Sequence, residues 1–273
     1  MIEKTNIENL KNKKIAIIGA GKSGIAAAHL INYLDALPFI SESSKSIPES
    51  CRQFDHEIGG HTDLILDSEI IIISPGVPDT LEIIELAKAK HIPIVSEIEF
   101  ASWFTSVPIL AVTGSNGKTT TTLLLDAMFK SAELTSVAAG NLGIPFSEVV
   151  LNELKLGVSP DVYVLEVSSF QLEHINHFSP FIGCILNVRP DHMDRYENFQ
   201  DYLNAKLNLF KALKEPGWFV YNADDPYLSE YASDQNPYHI PFSLNIHNRA
   251  LFLLNESKAY YTKNDQKDVL YFY

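Results

Sequence analysis

Apolar and polar positions along the chain fall into two blocks with the same rhythm. In the first, Lys14–Ile18 (KIAII) is a short continuous apolar run, and GAGKSG follows at 19–24. Helical apolar spacing then runs over Ile25–Leu34. Further strands are predicted at Pro38–Ile40, at Glu69–Ser74 (ended by Pro75-Gly76) and at Ile92–Val95, with a helix over Leu81–Lys90. Around Thr105–Pro108 the pattern restarts. Ile109–Val112 reads as a strand, a glycine turn follows, and Thr119–Lys130 reads as a helix. Strands at Val162–Val167, Ile182–Val188 and Trp218–Tyr221 come later, with a helix over Phe199–Leu213 between the last two. From Pro241 onward short apolar runs alternate with Asn, Ser and Lys, which suggests a small hairpin region. Strand–helix alternation of this kind predicts parallel sheets flanked by helices, an α/β fold. The restart divides the chain into 1–105 and 106–273.

Two glycine turns stand between a predicted strand and a predicted helix, the position where a phosphate meets unpaired helix N–H groups. The second, TGSNGKTTTT, fails the strict Walker spacing, because Val112 stands where that pattern has its first glycine. Gly114 and Gly117 still permit a tight backbone around Ser115 and Asn116. Lys118 can neutralise phosphate charge, and the Thr119 hydroxyl can ligate Mg²⁺. Four successive threonines (119–122) are poor helix formers, so a chance helix cap leaves them unexplained. Glu166 ends the VYVLE strand and His192 lies just past another. Alone, Glu166 reads equally as a solvated strand-end carboxylate and His192 more often as a structural histidine, but delivery of Lys118, Glu166 and His192 to one sheet edge favours a site. The first turn, GAGKSG, matches G-x-G-x-x-G, with Glu42 beyond the next strand in the place of a ribose-binding acid. That leaves an NAD-dependent oxidoreductase open as a reading of the first block.

Composition narrows the choice. The 273 residues are 46% hydrophobic and 20% charged, with a formal net charge of −13. No Lys/Arg cluster offers a nucleic-acid face, so an anionic ligand needs local backbone amides and helix ends. No apolar run approaches the ~18–20 residues of a membrane span, and the first residues lack a secretory h-region. Cys51 and Cys184 fit no metal or redox spacing and read as reduced thiols of a cytoplasmic protein.

The segments GSNGKTTTT, GNLGIPF, EVSSFQLE, NVRPDHMDRY, AKLNLF and YNADDP occur in the order and spacing of the Mur ligases of peptidoglycan synthesis, which the chain resembles from about residue 14 onward. SSFQLE with DHMDRY resembles the D-glutamate-adding branch. The resemblance implies a Rossmann-like domain holding UDP, then a P-loop-type central ATPase domain, with the third, C-terminal ligase domain absent from this chain. It implies an ATP-dependent amide ligase that phosphorylates the carboxylate of UDP-N-acetylmuramoyl-L-alanine and passes the acyl phosphate to D-glutamate, with Mg²⁺. Carried over by motif, Gly114–Thr119, Thr120 and Asn222 meet ATP, and Thr119, Glu166, His192 and Lys206 meet metal, Lys206 as a carbamate. Lys118, Glu166, His192 and Lys206 form the catalytic set. Gly21, Lys22, Ser23, Ser43, Asn141, Gln171 and His192 face the UDP substrate. The implied protein is a cytoplasmic monomer. Besides the oxidoreductase, a non-catalytic UDP-sugar-binding module is the competing reading.

Overall fold

The computed structural model describes residues 10–214, 216–232, 236 and 238–245, with the backbone of three further strands between 252 and 270. The first sheet has the order β3-β2-β1-β4-β5, every pair parallel. Its strands are β1 (Lys14–Ile18), β2 (Leu37–Glu42), β3 (Asp55–Ile58), β4 (Ile70–Ile73) and β5 (Ile94–Ser96). Helix α1 (Lys22–Tyr33) follows β1 and α2 (Glu82–Ala89) follows β4. The run of four isoleucines in β4 follows from burial on both faces. Ile70 and Ile72 join Ile15, Ile17 and the α1 residues Ala27 and Ile31, whereas Ile71 and Ile73 join Ala16, Ile18 and the α2 residues Ile83 and Ala87.

α3 (Glu97–Ser102) leads to the second sheet, of order β14-β13-β12-β11-β10-β9-β6-β8-β7. Its strands are β6 (Ile109–Thr113), β7 (Ser136–Gly140), β8 (Val162–Glu166), β9 (Ile182–Ile185), β10 (Trp218–Asn222), β11 (His239–Ser243), β12 (Phe252–Asn255), β13 (Lys258–Lys263) and β14 (Gln266–Leu270). Pairing is parallel from β7 to β12 and antiparallel through β12–β13–β14. The expected hairpin therefore begins after β11, and Pro241 itself lies in a parallel strand. The helices are α4 (Lys118–Ser131), α5 (Phe146–Leu156), α6 (Ser169–Glu173), α7 (Phe199–Ala212) and α8 (Pro226–Tyr231).

Buried carboxylates join the parts behind the sheets. Glu99, fully buried on α3, accepts the amides of Asn176, His177 and Phe178 and the Trp103 indole N–H. Glu97 accepts the Ser147 amide in the first turn of α5, and burial pushes its carboxyl up to about 7 against the pull of that hydrogen bond. One hydrophobic core runs without a break from Ile15 and Ile31 through Ile98 and Phe100 to Phe146, Leu165 and Leu207.

Strand β9 stops at Ile185, three residues short of expectation, because the chain turns there to brace the glycine loop. Leu186 N–H donates to Thr113 O at 3.0 Å. Both cysteines are free and buried, as reduced thiols should be. Among the described residues no helix is long and apolar enough to cross a membrane.

Candidate functional site

The glycine turn between β6 and α4 owes its shape to two backbone conformations that disfavour side chains. Gly114 has φ +156° and Gly117, the N-cap of α4, has φ +86°. The neighbouring loop completes the shape. Asn187 accepts the Ser115 amide on its carbonyl at 3.0 Å and the Asn116 amide on its side chain at 2.9 Å, and its own amide group donates to Asn116 O. Ser115 is buried, and its hydroxyl is shared among the Arg189 amide, the Arg189 carbonyl and Tyr202. Ser115 and Asn116 therefore build the turn, with both backbone amides bonded to Asn187. The first inward helical bond is Thr121 N–H to Gly117 O at 3.0 Å. The amides of Lys118, Thr119 and Thr120 accordingly open the helix without an intrahelical acceptor, a setting for an anion.

Two lysines converge on one carbonyl. Lys118 Nζ donates to Gly114 O at 3.0 Å and to Ser115 O at 3.2 Å, while Lys206 Nζ, from α7, also donates to Gly114 O at 3.0 Å. Lys206 is 1% exposed, and its Nζ sits 4.6 Å above the Tyr202 ring centre. Burial, reinforced by the charge of Lys118 and partly offset by Asp191, pushes its ammonium down to about 7. A substantial fraction is thus neutral amine near pH 7.

Thr119 Oγ1 donates to Glu166 Oε2 at 2.6 Å, and Asn141 Nδ2 donates to Glu166 Oε1 at 2.8 Å. The pairing is built into the backbone, since Gly140 ends β7 beside β8 and Asn141 N–H bonds Glu166 O at 2.9 Å. The Thr119 hydroxyl and Glu166 carboxylate are hard oxygens that fit Mg²⁺, which keeps waters and takes few protein ligands. His192 lies on the loop after β9. It has φ +56°, its ring lies 5.1 Å from that of Phe170, and its Nε2 is 3.6 Å from Asp191. Among the described residues no three His, Cys, Asp or Glu side chains gather around a metal position. Thr119 and Glu166 are the two expected metal residues in direct contact with each other.

Other expected residues are placed as follows. Gln171 is 2% exposed, and its Oε1 accepts from the amide and hydroxyl of Ser168 in a capping box, so its carbonyl is spent on α6. Asn222 ends β10, with its Oδ1 on the Asp224 amide. Gly21 caps α1, and Lys22 and Ser23 form its first turn. Gly24 is required by packing, since a Cβ there would lie 2.0 Å from Gly19 O. Ser43 donates to Glu42 Oε1 at 3.2 Å. Glu42 does not present a free carboxylate to a ribose. Its oxygens accept the Ala20 and Ser44 amides, both at 2.8 Å, and these bonds outweigh burial to hold its pKa below the usual value. The dinucleotide expectation loses its acid.

Sequence reasoning left Asn187 and Tyr202 without a role, and it placed Asp225 only by resemblance, with Asp224, at the adenosine end of ATP. Asp225 is fully buried and accepts the Val188 amide and Arg189 Nη1, both at 2.8 Å, which accounts for the arginine preceding the Asp-His pair. Asn187 and Arg189 lie inside a motif already singled out, but their partners are 36 to 74 residues away in sequence.

A glycine-lysine turn after the first strand of a largely parallel sheet, backed by a threonine–glutamate pair and a buried lysine, is the arrangement that nucleotide-phosphate sites of ATP-using α/β enzymes have. Residues 112–271 match the Mur ligase middle domain family, and the chain belongs to the Mur ligases. A UDP-N-acetylmuramoylalanine--D-glutamate ligase of Chloroherpeton thalassium is 40% identical over 243 residues, covering 83% of this chain and 50% of the relative. The ligase of the same name from Salinibacter ruber is 39% identical over 229 residues, covering 80% and 49%. The chain thus spans about half the length of these curated relatives. The fold is shared with a UDP-N-acetylmuramate:L-alanyl-gamma-D-glutamyl-meso-diaminopimelate ligase from Neisseria meningitides, with TM-score 0.58, 16% identity and coverage of 93% of this chain and 85% of that one.

Proposed function

We propose that the chain carries the UDP-substrate and ATP sites of a ligase that joins D-glutamate to UDP-N-acetylmuramoyl-L-alanine in the cytoplasm. On this reading 1–105 and 106–273 are separate domains. UDP lies on the turn at Gly21–Ser23, near Ser43, and ATP lies on the turn at Gly114–Thr120. The observation that carries it is the convergence of Lys118, Lys206, Thr119, Glu166 and Asn141 around one open helix N-terminus.

The residues divide the work. The Lys118–Thr120 amides and the Lys118 ammonium bind and orient the terminal phosphates, and positioning with charge neutralisation is most of what phosphoryl transfer needs from a protein. Thr119 and Glu166 would hold Mg²⁺, which when bound supplies charge stabilisation to the phosphate oxygens. Asn141 fixes the Glu166 carboxylate, and His192 stands on the adjoining loop toward the substrate. Lys206 as a neutral amine can attack CO₂, forming an N–C bond and releasing a proton, and the carbamate turns a buried cation into an anion beside the loop. The amine nucleophile would be held by a part of the enzyme beyond these two domains.

Calorimetry with UDP, UDP-N-acetylmuramoyl-L-alanine and NAD tests the first site. Both uridine ligands are expected to bind and NAD is not. Tight NAD binding with no response to either uridine ligand would overturn the reading.

A further inference from the structure

Three of the loops discussed above meet at a residue with no role so far, Arg195 of the NVRPDHMDRY segment. Its Nη1 donates to Pro75 O at 2.8 Å and its Nη2 donates to Val77 O. These carbonyls belong to the turn after β4, in the first sheet. That turn is also the wall of the first glycine loop, because Ser74 Oγ donates to Gly19 O at 3.3 Å and a Cβ on Gly19 would lie 2.9 Å from it. On its other side the guanidinium lies over Phe170, 4.2 Å from the ring centre. Phe170 touches the His192 ring and stacks on Tyr196 at 5.7 Å and 10°.

We propose that Arg195 is a positioning residue that ties the Pro75–Val77 turn of the UDP side to the Phe170–His192 stack of the ATP side, holding the two ends of one extended ligand in register. The proposal rests on the functional reading above, in which a single substrate reaches from one glycine loop to the other. Pro75 follows β4 and Arg195 follows β9, both at carboxyl ends of strands, the ends that carry both glycine loops. Other links between the two parts run through Glu97 and Glu99 on α3, through Ser96 N–H to His174 O and through the Tyr33 hydroxyl to Leu154 O. His174 Nε2 also lies 3.3 Å from Asp79 Oδ1. None of these takes the Pro75 or Val77 carbonyl. A cleft of about 870 Å³, lined by Gly76, Asp79, Glu173, Tyr196 and Asn204, opens beside Arg195. Two carbonyls taken at once by a planar fork with an aromatic ring beneath is a task for arginine. Lysine, a single point charge, cannot hold both in fixed directions.

The test compares UDP with UDP-N-acetylmuramoyl-L-alanine on the wild-type chain, Arg195→Ala and Arg195→Lys, by calorimetry. On the functional reading UDP is held by the loops of the first sheet, where Ser74 Oγ bonds Gly19 O without Arg195, so its Kd should stay within about twofold in all three. The extra affinity of the longer ligand should fall by about tenfold, or ~1.4 kcal/mol, in both variants. A purely structural role would weaken both ligands together and contradict the proposal, as would full retention of the extra affinity in Arg195→Ala or its recovery in Arg195→Lys. Hydrogen exchange gives a readout independent of ligand. The Gly76 and Val77 amides should exchange faster in Arg195→Ala, and unchanged exchange overturns the tie even if the functional reading stands. If the wild-type chain binds neither uridine ligand while the amides do respond, the functional reading fails and the tie between the loops survives as structure only.

Discussion

Lys206 is an ammonium group 1% exposed, within hydrogen-bond distance of a carbonyl it shares with a second lysine. Its folded pKa, about 7, lies below the value of ~10.4 that an unfolded chain gives it. Between those values the unfolded state binds more protons, so this residue makes stability rise with pH; below about 7 both states are charged and the full penalty of burying the cation applies. Lys206→Met removes the titration while keeping the apolar stem. In CO₂-free buffer the variant should therefore gain on wild type by a few kcal/mol at pH 6, with the gain shrinking toward pH 10. Urea midpoints at pH 6, 8 and 10 measure it. A difference between the two proteins that stays flat with pH would mean Lys206 is not a buried, depressed ammonium. At this scale the sequence was informative about residue type and weak about surroundings. Lys118, Thr119 and Glu166 were legible because each ends a strand or opens a helix. The tethering of Ser115 was not, since it depends on Asn187 and Tyr202, far along the chain, whereas the Ser-x-x-Gln spacing of Ser168 and Gln171 is itself that of a capping box.

Among the elements, β7 with the turn after it explains why Glu166 is held so firmly. Gly140 has φ +96°, and a Cβ on it would lie 2.3 Å from the Glu166 carbonyl oxygen. Gly143, three residues on, has φ +120° but open space around it. Gly143→Ala should cost only the backbone penalty, ~1–2 kcal/mol. Gly140→Ala must also push β7 away from β8 and should cost at least ~3 kcal/mol in a urea titration, with Glu166 displaced. Equal costs for the two would show that the close approach is relieved without consequence. The same strand shows what hydrophobic patterning misses. β7 (SVAAG) and β3 (DHEI) escaped notice because both are edge strands, and neither carries the continuous large apolar run that burial on two faces imposes on β4. Helix α5 escaped with β7, although its apolar positions Phe146, Val150 and Leu151 are helically spaced. The central strands and the helices α1, α2, α4 and α7 were legible for the converse reason: their sequence patterns are those of fully buried strands and half-buried helices.

In the whole molecule, a parallel sheet and a largely parallel one each present a glycine loop at the carboxyl ends of their parallel strands, and a continuous core with buried carboxylates on α3 joins them from behind. The account's central claim is that these loops are two distinct ligand sites, with the second one binding nucleotide phosphate through Lys118. The measurement that reaches it most directly is calorimetric binding of ATP with Mg²⁺ and, separately, of UDP, to the wild-type chain and to Lys118→Ala. Removing a charge that contacts the terminal phosphates is worth several kcal/mol, so ATP affinity should fall by at least ~10²-fold while UDP binding stays within about twofold. Undiminished ATP binding in Lys118→Ala, or loss of both ligands together from a folded variant, would contradict the account.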